Sequence, residues 1–223
     1  MFEAVLFDWD GTLADTRKAI VVSFQKALKE INLEVPTHYI ERRIGIGASE
    51  TFREILNAAN RRVDEKVVKQ LVERKSKVQI ELAEEVMLFE GARELLEMLH
   101  GKVKVGLASM NNRAVVMHLL QINDIADCFD TILTVEAVSH SKPDPEIFLK
   151  TAEQLKAKPS GCVVFEDSIF GVKAAKAAGM SCVSVTTGVY SEQELAVEKP
   201  DLIVKTLKDP RIAQFIFGYK TLW

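Results

Sequence analysis

The chain has 223 residues and a mass of 24.9 kDa, which is long for one compact domain and short for two full ones. Its apolar share of 48% and its charged share of 27% are ordinary for a globular protein, so the composition excludes a disordered or fibrous chain. The formal net charge of −3 argues against a dedicated nucleic-acid binder, which needs a basic excess.

Targeting and metal-thiolate patterns are missing from the sequence. No apolar run approaches the roughly 18–20 residues that span a bilayer, and the first residues lack the basic region of a signal peptide. The three cysteines have no CxxC spacing, and the four scattered histidines form no zinc pattern. We therefore expect a cytoplasmic protein that binds neither membranes nor nucleic acid.

The first predicted strand is an unbroken apolar run at residues 4–7, which is typical of a strand buried on both faces of a parallel sheet. Similar runs follow at residues 103–108, 131–135, 162–165, 182–185 and, more weakly, 202–204. Helical patterns lie between these runs, at residues 92–99, 113–121, 145–155 and 172–178. This alternation predicts an α/β fold with a doubly wound, mostly parallel, Rossmann-like sheet.

One long stretch interrupts the alternation. It carries no strand pattern and shows apolar residues at helical spacing in three places, 19–31, 51–59 and 64–82. A helical block of about 70 residues after the first strand predicts an inserted bundle. We therefore divide the chain into an α/β core, residues 1–15 and 87–223, and an all-helical cap domain, residues 16–86, called the cap segment below.

Polar side chains follow four of the predicted strands at the points where the strands end. They are Asp8 and Asp10 after the first strand, Ser109 and Asn111 after the second, Lys142 after the third, and Glu166 and Asp167 after the fourth. In open parallel sheets, ligands bind outside the carboxyl ends of the strands, where the strand order reverses. We therefore expect these side chains to converge on one site.

The residue types at the strand ends favour phosphoryl transfer. Converging carboxylates repel one another unless a cation lies among them, and an all-oxygen ligand set suits Mg²⁺, which in turn favours phosphate oxygens. One carboxylate can act as a nucleophile that forms an acyl phosphate, and a second can act as general acid and base. Each element alone is more often a turn, a helix cap or a solvated pair, and only their conjunction points to a site.

Four segments resemble the motifs of the haloacid dehalogenase superfamily, in their usual order and separation: FDWDGTLADT, LASMNN, SKPDPEIF and FEDSIFGVKAAKAAGM. The resemblance covers nearly the whole chain. It is closest to the branch with a helical cap after the first motif, which includes beta-phosphoglucomutase and phosphoglycolate phosphatase. It implies a Mg²⁺-dependent phosphatase of small phosphate monoesters, such as a sugar phosphate or phosphoglycolate.

The same resemblance implies a catalytic role for four residues. Asp8 would be the nucleophile that forms an aspartyl-phosphate, and Asp10 would be the general acid and base. Ser109 would hydrogen-bond the transferring phosphoryl group. Lys142 would neutralise charge between the nucleophile and the phosphate.

Metal and substrate contacts are implied in the same way. The metal ligands would be Asp8, Asp10 through its backbone carbonyl, Asp167, and Glu166 directly or through water. The substrate-binding residues would be Asn111, Lys75 in the cap segment, and Thr16 at the hinge of that segment. The expected partner is a small phosphorylated metabolite, and we expect a monomer because the cap must be free to move.

Three other functions use similar residues. A dehalogenase would also use Asp8, but its attack on carbon needs neither Mg²⁺ nor a second acid at Asp10. A receiver-like phospho-acceptor would place its acidic pair before the acceptor and would lack a helical cap. A beta-phosphoglucomutase-like phosphomutase stays open as the alternative, because Lys75 belongs to a basic pair that matches its cap. The mutase's cap histidine, however, falls at Ala19 or Ile20, and its substrate-phosphate arginine falls near Ser49, which favours the hydrolase.

Overall fold

The computed structural model describes residues 2–218, and its strands form two sheets. The strands are β1 (Ala4–Phe7), β2 (Ala14–Asp15), β3 (Met87–Leu88), β4 (Lys104–Ala108), β5 (Thr131–Leu133), β6 (Cys162–Glu166), β7 (Ser181–Val185) and β8 (Leu202–Val204). The larger sheet has six strands in the order β5-β4-β1-β6-β7-β8, and every neighbouring pair in it is parallel. The predicted α/β fold with a doubly wound, parallel sheet is therefore confirmed.

Helices lie between the strands. Within residues 2–218 the α-helices are α1 (Arg17–Lys29), α2 (Thr37–Glu41), α3 (Ala48–Ala58), α4 (Glu65–Glu81), α5 (Ala92–Leu99), α6 (Arg113–Ile122), α7 (Glu146–Gln154), α8 (Ile169–Ala177), α9 (Glu192–Val197) and α10 (Pro210–Phe217). The first four lie in the cap segment, and the others alternate with the strands of the main sheet. No helix in this described part of the chain is long and apolar enough to cross a membrane.

Strand β1 lies at the centre of the main sheet, between β4 and β6. Its side chains alternate between two apolar clusters, with Val5 and Phe7 in one and Ala4 and Leu6 in the other. Burial on both faces explains why this strand is an unbroken apolar run. The chain builds the sheet outward from β1 in both directions, so the strand order reverses at the carboxyl end of β1.

The cap segment has an apolar cluster of its own, formed mainly by α1, α3 and α4. Its buried members are Ile20, Val21, Phe24, Ala27, Leu28, Ile40, Ala48, Phe52, Ile55, Leu56, Val68 and Leu71. The chain leaves and rejoins the sheet through β2 and β3, which pair antiparallel with Ala14 opposite Leu88. The cap segment is thus connected to the sheet by a two-stranded ribbon.

The structure differs from the sequence prediction mainly at short elements. The short helices α2, α9 and α10 and the ribbon strands β2 and β3 were not predicted. Helix α8 begins at Ile169, three residues before the predicted start, because the Ser168 side chain accepts a hydrogen bond from Gly171 N and caps it. Residues 1 and 219–223, which the sequence assigns to the core, lie outside the described residues.

Candidate active site

The buried charges of the described residues all lie at one place, where β1 and its neighbours end below the cap segment. They are the carboxylates Asp8, Asp10, Glu166 and Asp167 and the ammonium groups Lys75 and Lys142. Burying a charge is unfavourable unless it is paired, so such clusters mark functional sites more often than structural ones. The structure thus brings together the carboxylates and the lysine that were predicted from the strand ends.

Lys142 is the centre of this cluster. Its Nζ lies 2.6 Å from Asp8 Oδ1 and 2.7 Å from Glu166 Oε1, and it donates to the backbone oxygen of Ala108 at 3.2 Å. Burial by itself would lower the pKa of Lys142, but the two carboxylates outweigh burial and raise that pKa. Lys142 therefore stays charged and holds the ends of β1 and β6 together.

Glu166 is held in place through both of its carboxylate oxygens. Lys142 binds Oε1, while Oε2 accepts hydrogen bonds of 3.0 Å from the backbone N of Asp167 and from both the backbone N and the hydroxyl of Ser168. Gly171 in the first turn of α8 lies close against this carboxylate. A Cβ added at that glycine would lie 1.8 Å from the carboxyl carbon of Glu166.

Replacing Gly171 by alanine should therefore displace Glu166. We expect a loss of about 3 kcal/mol in the free energy of unfolding, because a buried, hydrogen-bonded carboxylate must move. Chemical denaturation would measure this loss. Gly101→Ala is the matched control, since an added Cβ there meets no described residue within 4 Å and only the backbone cost at φ +70° remains. Equal losses in the two variants would show that Gly171 is not needed for space.

Asp8 and Asp167 complete an acidic group in which ligand oxygens of Asp8, Glu166 and Asp167 lie within 4.8 Å of one another. Among residues 2–218, Asp8 Oδ2 is buried without a hydrogen-bond partner, and Asp167 Oδ1 accepts from the Thr12 hydroxyl at 3.2 Å. Burial raises the pKa of both aspartates, and the charge of Glu166 adds to this rise. Hard oxygen donors with an excess of negative charge fit a divalent cation.

The Asp167 carboxylate lies against two glycines. A Cβ at Gly11 would lie 2.3 Å from Asp167 Oδ2, and one at Gly188 would lie 1.8 Å from it. Gly11 has φ +89°, which a glycine adopts readily and other residues rarely do. Only glycine fits at these two positions beside the acidic group.

Asp10 is linked to the cap segment through Asn111. The Asn111 Nδ2 lies 3.3 and 3.2 Å from the two carboxylate oxygens of Asp10, and Asn111 Oδ1 accepts from Lys75 Nζ at 3.0 Å. Burial raises the pKa of Asp10, although the charge of Lys75 opposes the rise. A raised pKa favours the protonated form of the carboxyl group, which is the form that a general acid needs.

Ser109 and Thr16 occupy the edges of the site. Ser109 is fully buried at the end of β4, and its hydroxyl accepts from Asn111 N at 3.1 Å. Thr16 is fully buried just before α1, and its hydroxyl faces the Asp10 carboxylate, whose pKa it lowers against the effect of burial. Both hydroxyls are therefore inside the protein.

A small cavity separates the aspartates from the cap segment. Its walls carry Asp8, Asp10, Ile20, Phe24, Arg43, Ile44, Gly45, Gly47, Ala48, Thr51, Lys75, Met110 and Asn111. The cavity has about 30 Å³ of free volume, whereas pockets for small ligands usually have about 300–1,000 Å³. In this arrangement the cavity has room for water but not for a metabolite.

Contacts between the cap segment and the chain that follows β7, as far as α9, help to hold this arrangement, and the sequence analysis did not identify them. Arg42 Nη2 lies 2.7 Å from Glu194 Oε1, and the guanidinium carbon of Arg42 lies 4.0 Å from the centroid of the Tyr190 ring. The Tyr190 hydroxyl donates to the backbone oxygen of Arg42 at 2.7 Å. These residues are about 150 positions apart, so no sequence spacing reveals their contact. We call Arg42, Tyr190 and Glu194 the closure contact.

Comparison with known proteins places these features in context. Residues 5–185 match the family model described as haloacid dehalogenase-like hydrolase. A phosphorylated carbohydrates phosphatase of Thermotoga maritima is 31% identical over 216 residues, which cover 93% of this chain and 99% of the relative. A beta-phosphoglucomutase of Bacillus subtilis is 30% identical over 192 residues, which cover 83% and 84% of the two chains. The crystal structure of a beta-phosphoglucomutase from Clostridium difficile aligns with a TM-score of 0.85 at 27% identity, over 98% of each chain.

Proposed function

We propose that this chain, which belongs to the haloacid dehalogenase-like hydrolase family, is a Mg²⁺-dependent phosphatase of small phosphate monoesters. The observation that carries the proposal is the buried group of Asp8, Glu166 and Asp167 around Lys142, at the point where the strand order reverses. The similarity to a phosphorylated carbohydrates phosphatase supports a phosphorylated metabolite as the substrate.

The proposed magnesium ligands are side-chain oxygens of Asp8 and Asp167, the backbone oxygen of Asp10, and Glu166 directly or through water. The excess of buried carboxylates over ammonium groups supports a cation at this place. When bound, Mg²⁺ would neutralise carboxylate and phosphate charge during the reaction. Lys142 supplies a fixed positive charge 2.6 Å from Asp8 Oδ1.

In the proposed first step, a carboxylate oxygen of Asp8 attacks phosphorus and the bond to the leaving-group oxygen breaks. Asp10 donates its proton to that oxygen, and Ser109 and Lys142 bind the transferring phosphoryl group. In the second step, the Asp10 carboxylate takes a proton from water, and the water oxygen attacks phosphorus. The bond to Asp8 then breaks, which releases inorganic phosphate and restores both aspartates.

We further propose that residues 16–86 form a cap domain that opens to admit substrate. The separate apolar cluster of the cap segment and its connection through the β2–β3 ribbon support this division. Closure excludes water while the phosphoryl group is on Asp8, and it brings Lys75 against Asn111, where both would contact the substrate. We expect the protein to work as a monomer, with Thr16 at the hinge, because the cap must be free to move.

A screen of phosphate monoesters is the experiment that tests this function. We expect release of inorganic phosphate from p-nitrophenyl phosphate and from a subset of sugar phosphates or phosphoglycolate, with MgCl₂ and not with EDTA. The phosphomutase is the second candidate, since a relative in sequence and a neighbour in structure carry that name. A positional isomer of a sugar phosphate, formed without loss of phosphate, would identify a mutase. No phosphate release from any ester in the presence of Mg²⁺ would refute the phosphatase.

A further inference from the structure

We propose that Gln79 is a positioning residue, which holds the Lys75 ammonium group at the active-site cavity and leaves its positive charge free to act on the anionic substrate. This inference rests on the proposed function, because it concerns how the site binds a phosphate monoester. Gln79 lies on α4, one helical turn after Lys75, so the two side chains point to the same face.

The contacts of Gln79 are those of a residue built into the site. Its side chain is fully buried, and its Oε1 accepts a hydrogen bond from Lys75 Nζ. Its Nε2 is buried and has no hydrogen-bond partner in the part of the chain that the structure describes. Leaving a buried amide donor unpaired is unfavourable by about 1–3 kcal/mol. An apolar residue would avoid that cost, so the polar side chain is best explained by what it does for Lys75.

The two buried lysines of the site differ in their partners. Lys142 contacts two carboxylates, Asp8 and Glu166, and is neutralised by them. The hydrogen-bond acceptors of Lys75 in the described structure are the amide oxygens of Gln79 and Asn111, which fix its position without cancelling its charge. The Asp10 carboxylate lies beyond Asn111.

Burial of Lys75 disfavours the charged form of its side chain, and this is seen in its pKa. Burial lowers the pKa of Lys75 to about 8, although the charge of Asp10 opposes this shift. A glutamate at position 79 would have the same shape as Gln79 and would pair with the ammonium group. The positive potential at the cavity would then fall, while the fold would keep all its contacts.

The experiment compares Gln79→Glu with Gln79→Leu, using p-nitrophenyl phosphate with Mg²⁺ and inorganic phosphate as a competitive inhibitor. For Gln79→Glu we expect the KM and the phosphate inhibition constant to rise about tenfold, with kcat within about threefold of wild type and no fall in Tm. Gln79→Leu should raise KM less, because Lys75 loses a partner but keeps its charge. If Gln79 had only a structural role, Gln79→Leu would raise KM more than Gln79→Glu, and Tm would fall.

Two controls make the result specific. Gln25→Glu adds the same charge at an exposed position of the same segment and should leave KM unchanged. Lys75→Met should raise KM, and adding Gln79→Leu to it should cause no further rise, because the two residues act through one another. A wild-type enzyme without phosphatase activity would refute the proposed function. An active wild type whose KM does not change in Gln79→Glu would refute the role of Gln79 alone.

Discussion

The Asp8→Asn variant should lose essentially all turnover, with kcat lower by about 10⁴-fold or more, because an amide cannot form the acyl phosphate. The variant should still fold, since asparagine has the shape of aspartate and its side-chain oxygen can accept the Lys142 hydrogen bond now made by Asp8 Oδ1. Initial rates of phosphate release from p-nitrophenyl phosphate with Mg²⁺ would measure the loss.

Asp10→Asn should fail in a different way. This variant lacks the proposed general acid and base, so both half-reactions should be slower. A good leaving group, however, departs without receiving a proton. Rapid-quench experiments with an activated ester should therefore show a phosphorylated enzyme that hydrolyses slowly. Asp15→Asn, at an exposed position of β2, is the matched control and should keep wild-type rates. Near wild-type turnover in Asp8→Asn would show that the nucleophile is another residue.

The second large effect is expected from Mg²⁺ on stability. At 100 times its Kd, a ligand that binds only the folded state adds about 2.7 kcal/mol, which corresponds to a rise in Tm of roughly 5–10 °C for a chain of this size. In Asp167→Asn this rise should disappear together with most of the activity, because the carboxylate is a proposed ligand. Thermal unfolding of the wild type and of Asp167→Asn, each with MgCl₂ and with EDTA, would measure the rise in Tm and its loss.

In EDTA, the stability of the folded state should decrease as the pH rises. Burial raises the pKa of Asp8 and Asp167 above the ordinary value of 3.8, so the folded state binds more protons than the unfolded state. Stability should therefore fall as the pH rises from about 4 through the folded-state pKa values. The stability of Asp167→Asn should fall less steeply with pH, because one of the two carboxyl groups with a raised pKa is gone.

The control for these measurements is Asp127→Asn, an exposed residue that shares a surface groove with Glu3 near the beginning of β1, whereas the acidic group lies at the other end of that strand. This variant should keep both the rise in Tm with Mg²⁺ and the slope with pH. A full Mg²⁺ response in Asp167→Asn would remove Asp167 from the proposed ligand set.

The main sheet and the acidic group could be predicted because both follow from simple rules. A strand buried on two faces must be apolar throughout, as β1 is, and parallel strands bring their carboxyl ends to one edge. That topology explains why Lys142 contacts Asp8 although 134 positions separate them. The roles of these residues in catalysis remain predictions until the variants are measured.

The elements that the sequence did not predict are short or depend on tertiary packing. Helix α2 has five residues and β2 has two, too few for a helical or strand period to show. The partners of Lys75 depend on how α4 packs against the loop after β4 when the cap segment is closed. No local pattern distinguishes Gln79 from a solvent-exposed helical glutamine.

The closure contact limits how the cap segment can be exchanged with that of a relative. Arg42 in the cap segment meets Tyr190 and Glu194, which follow β7, so two regions far apart in the chain form one surface. A chimera that received residues 16–86 from a relative would leave Tyr190 and Glu194 facing an unmatched loop. Exchange of the cap segment should therefore preserve this contact only when the part of the chain that carries Tyr190 and Glu194 is transferred with it.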